Sequence, residues 1–164
     1  MKLLNKLEKY LENNFEYEKE PIFGIFRSKT SSVNLEEAMY ESTSIDNYIK
    51  NNMNDDFFQK LLFSHIDKKK LKDSDVYNKV NIDRRLFSKI RNENYHPSKN
   101  TVILLGLSLE LSEDEIVKLL ESASYSLPKN NTRDLIIRFC FIEKIFDPIE
   151  VNELLDTYNC QLLD

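Results

Sequence analysis

Residues 73–112 alternate short, apolar-patterned stretches with residue types that begin or end helices, and this alternation constrains the fold more than any other feature. Asp and Ser accept hydrogen bonds from the free N–H groups at a helix start, and Asn tolerates the left-handed conformation of a tight turn. These positions are, in chain order, Asp73, Asn81, Asp83, Ser98 and Ser112, the last with Glu115 at the spacing of a capping box. They predict short helices at 74–80 and 84–92, an apolar helix at 99–110 and a further helix at 113–124.

Long-chain helix formers dominate the rest of the 164-residue chain, which has only two Gly and four Pro. Such a composition favours helices. The spacing of apolar residues predicts an N-terminal helix at 2–15, while Asn131 or Thr132 and then Asp147-Pro148 begin two C-terminal helices. We therefore expect an all-α fold with an N-terminal helix and polar connection at 1–54, a core at 55–127, and a C-terminal extension at 128–164 packed on that core.

The basic residues concentrate in one part of an acidic chain. Residues 67–100 carry ten Lys and Arg against five Asp and Glu, a net charge of +5, whereas the whole chain has −5. A local basic surface suits an anionic partner such as nucleic acid, and an ordinary solvated helix surface is the alternative. No stretch reaches the roughly 18 apolar residues of a membrane span, and the N-terminal helix is amphipathic rather than a secretion signal. We therefore expect a cytoplasmic protein without membrane contact.

The residues between 76 and 112 also follow a known pattern. It consists of apolar side chains at Val76, Val80, Ile82, Phe87 and Ile90, a turn at Asn81, Pro97-Ser98 before the next helix, and small residues at Gly106 and Ser108. With helix 55–70 included, this stretch resembles the lambda-repressor-like, or xenobiotic-response-element-type, helix-turn-helix domains. The resemblance implies a five-helix core with 84–92 as its recognition helix, and close helix approach at the two small residues. More narrowly, 76–99 and 134–155 look like an uncharacterised helical module of low-GC Gram-positive bacteria.

The resemblance implies which side chains would touch DNA. Arg84, Arg85, Ser88 and Lys89 would face the major groove, where Arg85 could donate two hydrogen bonds to guanine. Further contacts to a base or to the phosphate backbone would come from Lys89, Arg91, Tyr95, His96, Lys99 and Asn100. Double-stranded DNA is thus the first expected partner. A regulator of this kind would act as a homodimer, with helices 132–158 supplying the contact between subunits.

Three features depart from the pattern of these domains. Asp73 and Asp75 place carboxylates where a helix usually meets a phosphate, and like charges repel at close range. Tyr77 replaces a small residue, so the two short helices must pack differently or lie further apart. Leu86 could touch a thymine methyl, join the core or form an apolar patch flanked by basic residues. Such a patch would suit a protein partner. The alternative function is therefore a non-enzymatic protein-interaction adaptor, for example of a phage-defence or stress pathway.

The chain has no sequence pattern typical of an active site. His65 lies beside basic residues on an amphipathic helix, His96 precedes a proline, and neither has a nucleophile or a metal-spaced neighbour. Cys140 lies in an apolar run, where a thiol is usually buried. No zinc spacing, serine elbow or glycine-rich phosphate loop occurs in the sequence. We therefore expect no catalytic residue, no metal site and no cofactor, and we do not expect an enzyme.

Overall fold

The computed structural model describes residues 2–16, 45–49, 57–92 and 94–163. All regular structure in these ranges is helical, so the predicted all-α fold is confirmed. Two units are present: Glu18–Asp55, in which 45–49 are helical, and Met1–Tyr17 together with Asp56–Asp164. The helices of the larger unit are α1 (Lys2–Asn14), α2 (Phe58–Lys68), α3 (Asp73–Lys79), α4 (Arg84–Ile90), α5 (Lys99–Ser108), α6 (Glu113–Ser122), α7 (Thr132–Glu143) and α8 (Pro148–Thr157).

Helix α1 packs on α7 and is part of the larger unit. Its apolar stripe places Leu7 fully inside the core, and the ring of Tyr10 lies 5.4 Å from that of Phe139. An ion pair between Lys6 and Glu143 joins the same two helices at the surface. The chain is thus divided differently from the predicted boundaries. Because its apolar side chains are buried against α7, α1 belongs with the core and does not group with the connection that follows it.

Helix α5 is the centre of the core, since every residue from Thr101 to Ser108 is buried. Two small residues let its neighbours approach closely. A Cβ atom added to Gly106 would lie 2.4 Å from Cδ1 of Ile116 in α6. The hydroxyl of Ser108 donates a 2.6 Å hydrogen bond to the backbone carbonyl of Val76 in α3. Close helix approach at these two positions, implied by the resemblance, is therefore present in the structure.

Most of the helices have an N-cap residue whose side chain accepts a hydrogen bond, as the residue types at these positions predicted. The cap residues that accept a hydrogen bond from a backbone N–H in the first turn are Asp83, Ser98, Ser112, Asn131 and Asp147. Ser112 and Glu115 form the predicted capping box. Each such cap stabilises its helix by about 1 kcal/mol, because it satisfies a donor that the helix itself leaves free.

Two local predictions in the basic segment are wrong. Asp73 does not cap α3 but is its first residue, and Lys72 occupies the N-cap position. The carboxylate of Asp75 accepts a 3.1 Å hydrogen bond from the backbone N–H of Lys72, which is the reverse arm of a capping box. Helix α4 is also shorter than the predicted 84–92, because its last helical residue is Ile90.

Candidate recognition surface

Helices α3 and α4 are joined by a tight turn. Asn81 has a φ of 53°, the left-handed conformation that Asn tolerates better than most residues. The backbone N–H of Ile82 donates to the carbonyl of Tyr77 at 2.9 Å and closes the turn. The carboxylate of Asp83 accepts from the backbone N–H of Arg85 at 2.7 Å and fixes the start of α4. The two short helices and the turn between them are therefore present, with helix bounds that differ by one or two residues from those predicted.

Tyr77 packs between α3 and α4. Its ring is partly buried and lies 5.5 Å from the ring of Phe87, the buried aromatic residue of α4. The ring of Phe87 also meets that of Phe63 in α2, edge to face, with centroids 6.2 Å apart. The bulk of Tyr77 is thus taken up by an aromatic cluster that holds α4 against α2 and α3. This cluster packs α4 against its two neighbouring helices.

Helix α4 buries one side and presents the other to solvent. Phe87 and Ile90 are in the core, while Arg84, Arg85, Ser88 and Lys89 are exposed. We call these four residues the α4 face. In the described part of the chain their side chains make no hydrogen bond and no ion pair. The α4 face therefore presents three unpaired cations and one hydroxyl on a single helix, and these are four of the residues that the resemblance placed toward DNA.

A groove of about 400 Å3 runs between α3 and α4. Its polar lining includes Lys72 and Ser74 from the start of α3 and Arg84 and Ser88 from α4. Lys72 and Ser74 were not among the predicted site residues. Only a Lys directly before a helix could have drawn attention to them, and that is a weak signal. The groove extends the α4 face, because two residues of that face form one of its sides.

Asp73 and Arg91, which also line this groove, form an ion pair. Nε and Nη2 of Arg91 lie 3.0 Å and 2.5 Å from Oδ2 of Asp73. The guanidinium also lies 4.5 Å from the centroid of the Phe63 ring, a cation–π contact. Arg91 was expected to reach a base or a phosphate, but in the structure it is engaged with α3 and α2. The guanidinium of Arg91 thereby compensates the negative charge of Asp73.

Tyr95 and His96 contact the body of the protein. The backbone carbonyl of Tyr95 accepts a 2.9 Å hydrogen bond from the buried side-chain amide of Gln59. Nε2 of His96 lies 2.8 Å from the carbonyl oxygen of Ala123, so this nitrogen must carry the proton and donate. The His96 ring also lies 5.2 Å from the ring of Tyr125. These contacts anchor the loop before α5 to α2 and to the end of α6.

Lys99 and Asn100 are held by the C-terminal part of the chain. Nζ of Lys99 lies 2.7 Å from Oδ1 of Asp134, a carboxylate that is almost fully buried. Asn100 accepts a 2.7 Å hydrogen bond from Arg133 and donates one of 3.3 Å to the carbonyl of Leu162. The two residues expected to hold a phosphate therefore join α5 to α7 and to the chain end. An Asp within the apolar pattern of α7 is the sequence signal that could have indicated this pair.

Leu86 lies at the other edge of α4, where it is half-buried. It lines a second groove of about 300 Å3 whose apolar lining includes Ile82, Leu104, Leu163 and Ile149 of α8. Ile149 is 68% exposed. Of the three roles considered for Leu86, the structure places it partly in the core and partly in an apolar patch. Sequence reasoning did not single out Ile149, since one exposed apolar residue on an amphipathic helix gives little signal.

Two of the residues considered for chemistry, His65 and Cys140, are buried. His65 is 8% exposed, with Nδ1 4.0 Å from Oε1 of Glu115. Burial lowers the pKa of His65 below its ordinary value of 6.5, and the nearby carboxylate of Glu115 partly opposes this. Burial also raises the pKa of the Cys140 thiol to about 12, so it is protonated at neutral pH. Among the described residues, no group of three or more His, Cys, Asp or Glu is arranged to hold a metal ion.

Comparisons of the chain with protein-family models, with curated proteins and with solved structures find no match. None of the described helices has both the length and the apolar character that crossing a bilayer demands. What the α4 face binds is therefore inferred from its exposure, its charges and its neighbours.

Proposed function

We propose that this protein is a DNA-binding regulator of the lambda-repressor-like helix-turn-helix kind, that α4 is its recognition helix, and that it acts without catalysis in the cytoplasm. The observation that carries the proposal is the α4 face. Arg84, Arg85 and Lys89 are exposed, have no ion-pair partner among the described residues, and lie on a helix whose other side is locked into the core. A short, rigid, exposed basic helix after a tight turn is the element that such domains insert into a major groove.

The acidic residues beside the α4 face do not oppose this proposal as strongly as their sequence positions suggested. The carboxylate of Asp73 is paired with Arg91, and that of Asp75 accepts the Lys72 backbone N–H. The carboxylate of Asp83 accepts from the backbone N–H groups of Arg85 and Leu86. Each negative charge is thus offset by a cation or by backbone donors, while the cations of the α4 face have no such compensation.

The structure changes which residues would contact the phosphate backbone. Lys99 and Asn100 are engaged with α7 and the chain end, so we do not assign them to DNA. Lys72 and Ser74 line the groove next to Arg84 and are the better candidates. In this proposal Arg85 and Lys89 contact base edges or phosphates in the major groove, and Lys72 and Arg84 contact the flanking phosphates.

Binding to a fluorescein-labelled mixed-sequence duplex, followed by anisotropy at 50 and 200 mM salt, tests the proposal. Neutralising about three phosphates gives a slope of about −2.7 in log K against log salt, so affinity should fall roughly 40-fold between these concentrations. No binding at the lower salt concentration would rule out the regulator.

A charge-matched pair of variants tests whether the α4 face is responsible. Lys89→Glu and Lys118→Glu both replace an exposed Lys by Glu, but Lys118 lies on α6. We expect Lys89→Glu to weaken duplex binding by at least about tenfold, the size of one lost phosphate or base contact plus a new repulsion. Lys118→Glu should leave binding within about twofold. Equal losses in the two variants would mean that DNA responds only to net charge, which contradicts the proposal.

A protein-interaction adaptor is the second candidate, and one observation favours it. The groove whose apolar lining includes Leu86 and Ile149 lies directly beside the basic α4 face. Apolar surface next to Arg is the composition found at the centre of protein interfaces. In that case a purified partner should lose binding to Leu86→Asp and Arg85→Glu, while duplex DNA does not compete. If both variants retain the partner, this surface is not the adaptor site.

A further inference from the structure

The groove between α3 and α4, which we call the α3–α4 groove, brings charge, hydroxyl groups and aromatic surface together. One of its sides carries Lys72 and Ser74, and the other carries Arg84 and Ser88. In the described part of the chain none of these four side chains makes a hydrogen bond or an ion pair. Each side therefore offers one cation and one hydroxyl donor to a ligand that enters the groove.

The charge of the α3–α4 groove matches that of a phosphate monoester. The lining holds three cations and one carboxylate, a net charge of +2. Since Arg91 and Asp73 pair with each other, the surplus lies on Lys72 and Arg84. A phosphate monoester carries about −1.5 to −2 at neutral pH and three strong acceptor oxygens, whereas each phosphate within a DNA strand carries a single negative charge. Two cations with two hydroxyl donors therefore suit a terminal phosphate better than one phosphate of a DNA backbone.

An aromatic ring also lines the α3–α4 groove and can hold a planar group. Tyr77 is only partly buried, although its ring packs against that of Phe87 with centroids 5.5 Å apart. Bases stack on the aromatic side chains of basic grooves, and every base has a face that can do so. The groove volume of about 400 Å3 lies within the roughly 300–1,000 Å3 of small-molecule sites, so it has room for more than a phosphate group.

We propose that the α3–α4 groove binds a free nucleoside monophosphate. The phosphate lies between Lys72 and Arg84. It accepts hydrogen bonds from the hydroxyls of Ser74 and Ser88, while the base stacks on the ring of Tyr77. A sugar phosphate without a base would leave the ring unused, and an uncharged nucleoside would leave both cations unused.

The nucleotide would also regulate the proposed function. Arg84 and Ser88 belong both to the α3–α4 groove and to the α4 face, and Lys72 is assigned to a flanking phosphate of DNA. A nucleotide in the groove therefore occupies groups that the duplex needs, so the two ligands exclude each other. This step of the inference rests on the proposed DNA binding, whereas nucleotide binding itself does not.

Equilibrium dialysis of the full chain with radiolabelled adenosine 5′-monophosphate (AMP), in the absence of DNA, tests the nucleotide site. We expect AMP to bind. Ribose 5-phosphate, inorganic phosphate and adenosine should each compete at least about tenfold more weakly than unlabelled AMP, because each lacks either the stacking base or the charged phosphate. A wild type that binds no AMP at millimolar concentration overturns the inference. Equal competition by ribose 5-phosphate and AMP overturns it as well, because the base would then contribute nothing.

Two pairs of variants test whether the α3–α4 groove is the site. Ser74→Ala and Lys72→Ala should each weaken AMP binding by roughly tenfold, the size of one lost hydrogen bond to a charged group. The matched controls, Ser126→Ala and Lys68→Ala, change exposed residues that do not line the groove and should bind AMP like the wild type. Urea curves that overlay that of the wild type show that each variant is folded. Undiminished AMP binding by both groove variants overturns the inference.

Duplex anisotropy with and without AMP separates failure of the nucleotide site from failure of the proposed function. At constant ionic strength, AMP at ten times its own Kd should weaken duplex binding by about tenfold, as for two ligands that exclude each other, whereas adenosine should not. AMP binding by a protein that binds no duplex would leave the nucleotide site standing and remove the regulator. Duplex binding that AMP leaves unchanged at this concentration would refute the mutual exclusion.

Discussion

Two basic stretches follow each other in the chain: the α4 face, and the segment from Arg91 to Asn100 that leads into α5. The resemblance to helix-turn-helix domains assigned both of them to DNA. In the structure, the cations of the α4 face have no partner among the described residues, whereas Arg91 pairs with Asp73 and Lys99 pairs with Asp134. The same residue types thus hold the fold together between Arg91 and Asn100, but remain free for a ligand on the α4 face. What separates them is the presence of a partner from elsewhere in the chain.

The largest expected effect that tests this comparison is on stability. Lys99→Ala leaves the carboxylate of Asp134 almost buried and without its cation, so we expect the free energy of unfolding to fall by about 2–3 kcal/mol. Lys89→Ala removes the same side chain from the α4 face and should change stability by less than about 0.5 kcal/mol. Urea denaturation of both variants measures the difference. Equal losses would show that the two lysines are not used differently.

The second prediction concerns DNA binding, measured beside stability in one variant from each stretch. Arg85→Ala should weaken duplex binding by about 1–2 kcal/mol, roughly tenfold, while its unfolding curve overlays that of the wild type. Asn100→Ala should lower the free energy of unfolding, because it loses its hydrogen bonds with Arg133 and Leu162. It should leave duplex binding unchanged, because we assign Asn100 no contact with DNA. Anisotropy titrations and urea curves for both variants give a two-by-two comparison. Weaker DNA binding by a folded Asn100→Ala would return Asn100 to the DNA-contacting set.

The pair formed by Asp73 and Arg91 lies between the two extremes, because it is structural but partly exposed. A double-mutant cycle with Asp73→Asn and Arg91→Ala should give a coupling energy of about 0.5–1 kcal/mol at low salt, and less at high salt. In the DNA assay, Arg91→Ala should weaken binding because it uncovers the charge of Asp73, and Asp73→Asn should restore that binding in the double variant. If the double variant binds as poorly as Arg91→Ala, Arg91 contacts DNA directly.

The features that the sequence predicted correctly depend on neighbours a few residues away. Asp83, Ser98 and Asn131 cap their helices, and Asn81 adopts the left-handed turn, because each needs only the backbone next to it. Asp73 was misassigned as a cap because two acids lie close together there, and the backbone N–H of Lys72 is satisfied by Asp75. Periodicity alone could not decide between these two carboxylates.

The candidate site was predicted less well than the fold, for a related reason. Whether Lys99, Asn100 or His96 is free depends on Asp134, Arg133 and Ala123, which lie 27 to 35 residues further along the chain. Helical spacing shows which side of a helix a residue occupies but not what packs against that side. The α4 face was predicted correctly as exposed because no other helix covers it in the described part of the chain.

The smallest predicted effect concerns His65, another basic side chain that the fold engages. Its pKa is lowered in the folded state, mainly by burial, so the unfolded chain takes up a proton first as the pH falls through 6.5. The stability that neutral His65 contributes is therefore complete above pH 6.5 and is lost as the pH falls from there through its lower folded-state pKa. The variant His65→Gln cannot titrate and should lack this loss.

Urea midpoints of the wild type and His65→Gln between pH 8 and pH 5 measure the effect. The hydrogen bond from the Ser112 backbone lowers the pKa of the adjacent Glu115 below its ordinary 4.5, so this carboxylate stays ionised throughout that range. The other histidine is present in both proteins and cancels in the difference. We expect the wild-type curve to fall more steeply below pH 6.5 than that of the variant. Parallel curves would mean that protonated His65 is accommodated beside Glu115, and burial would then not control its protonation.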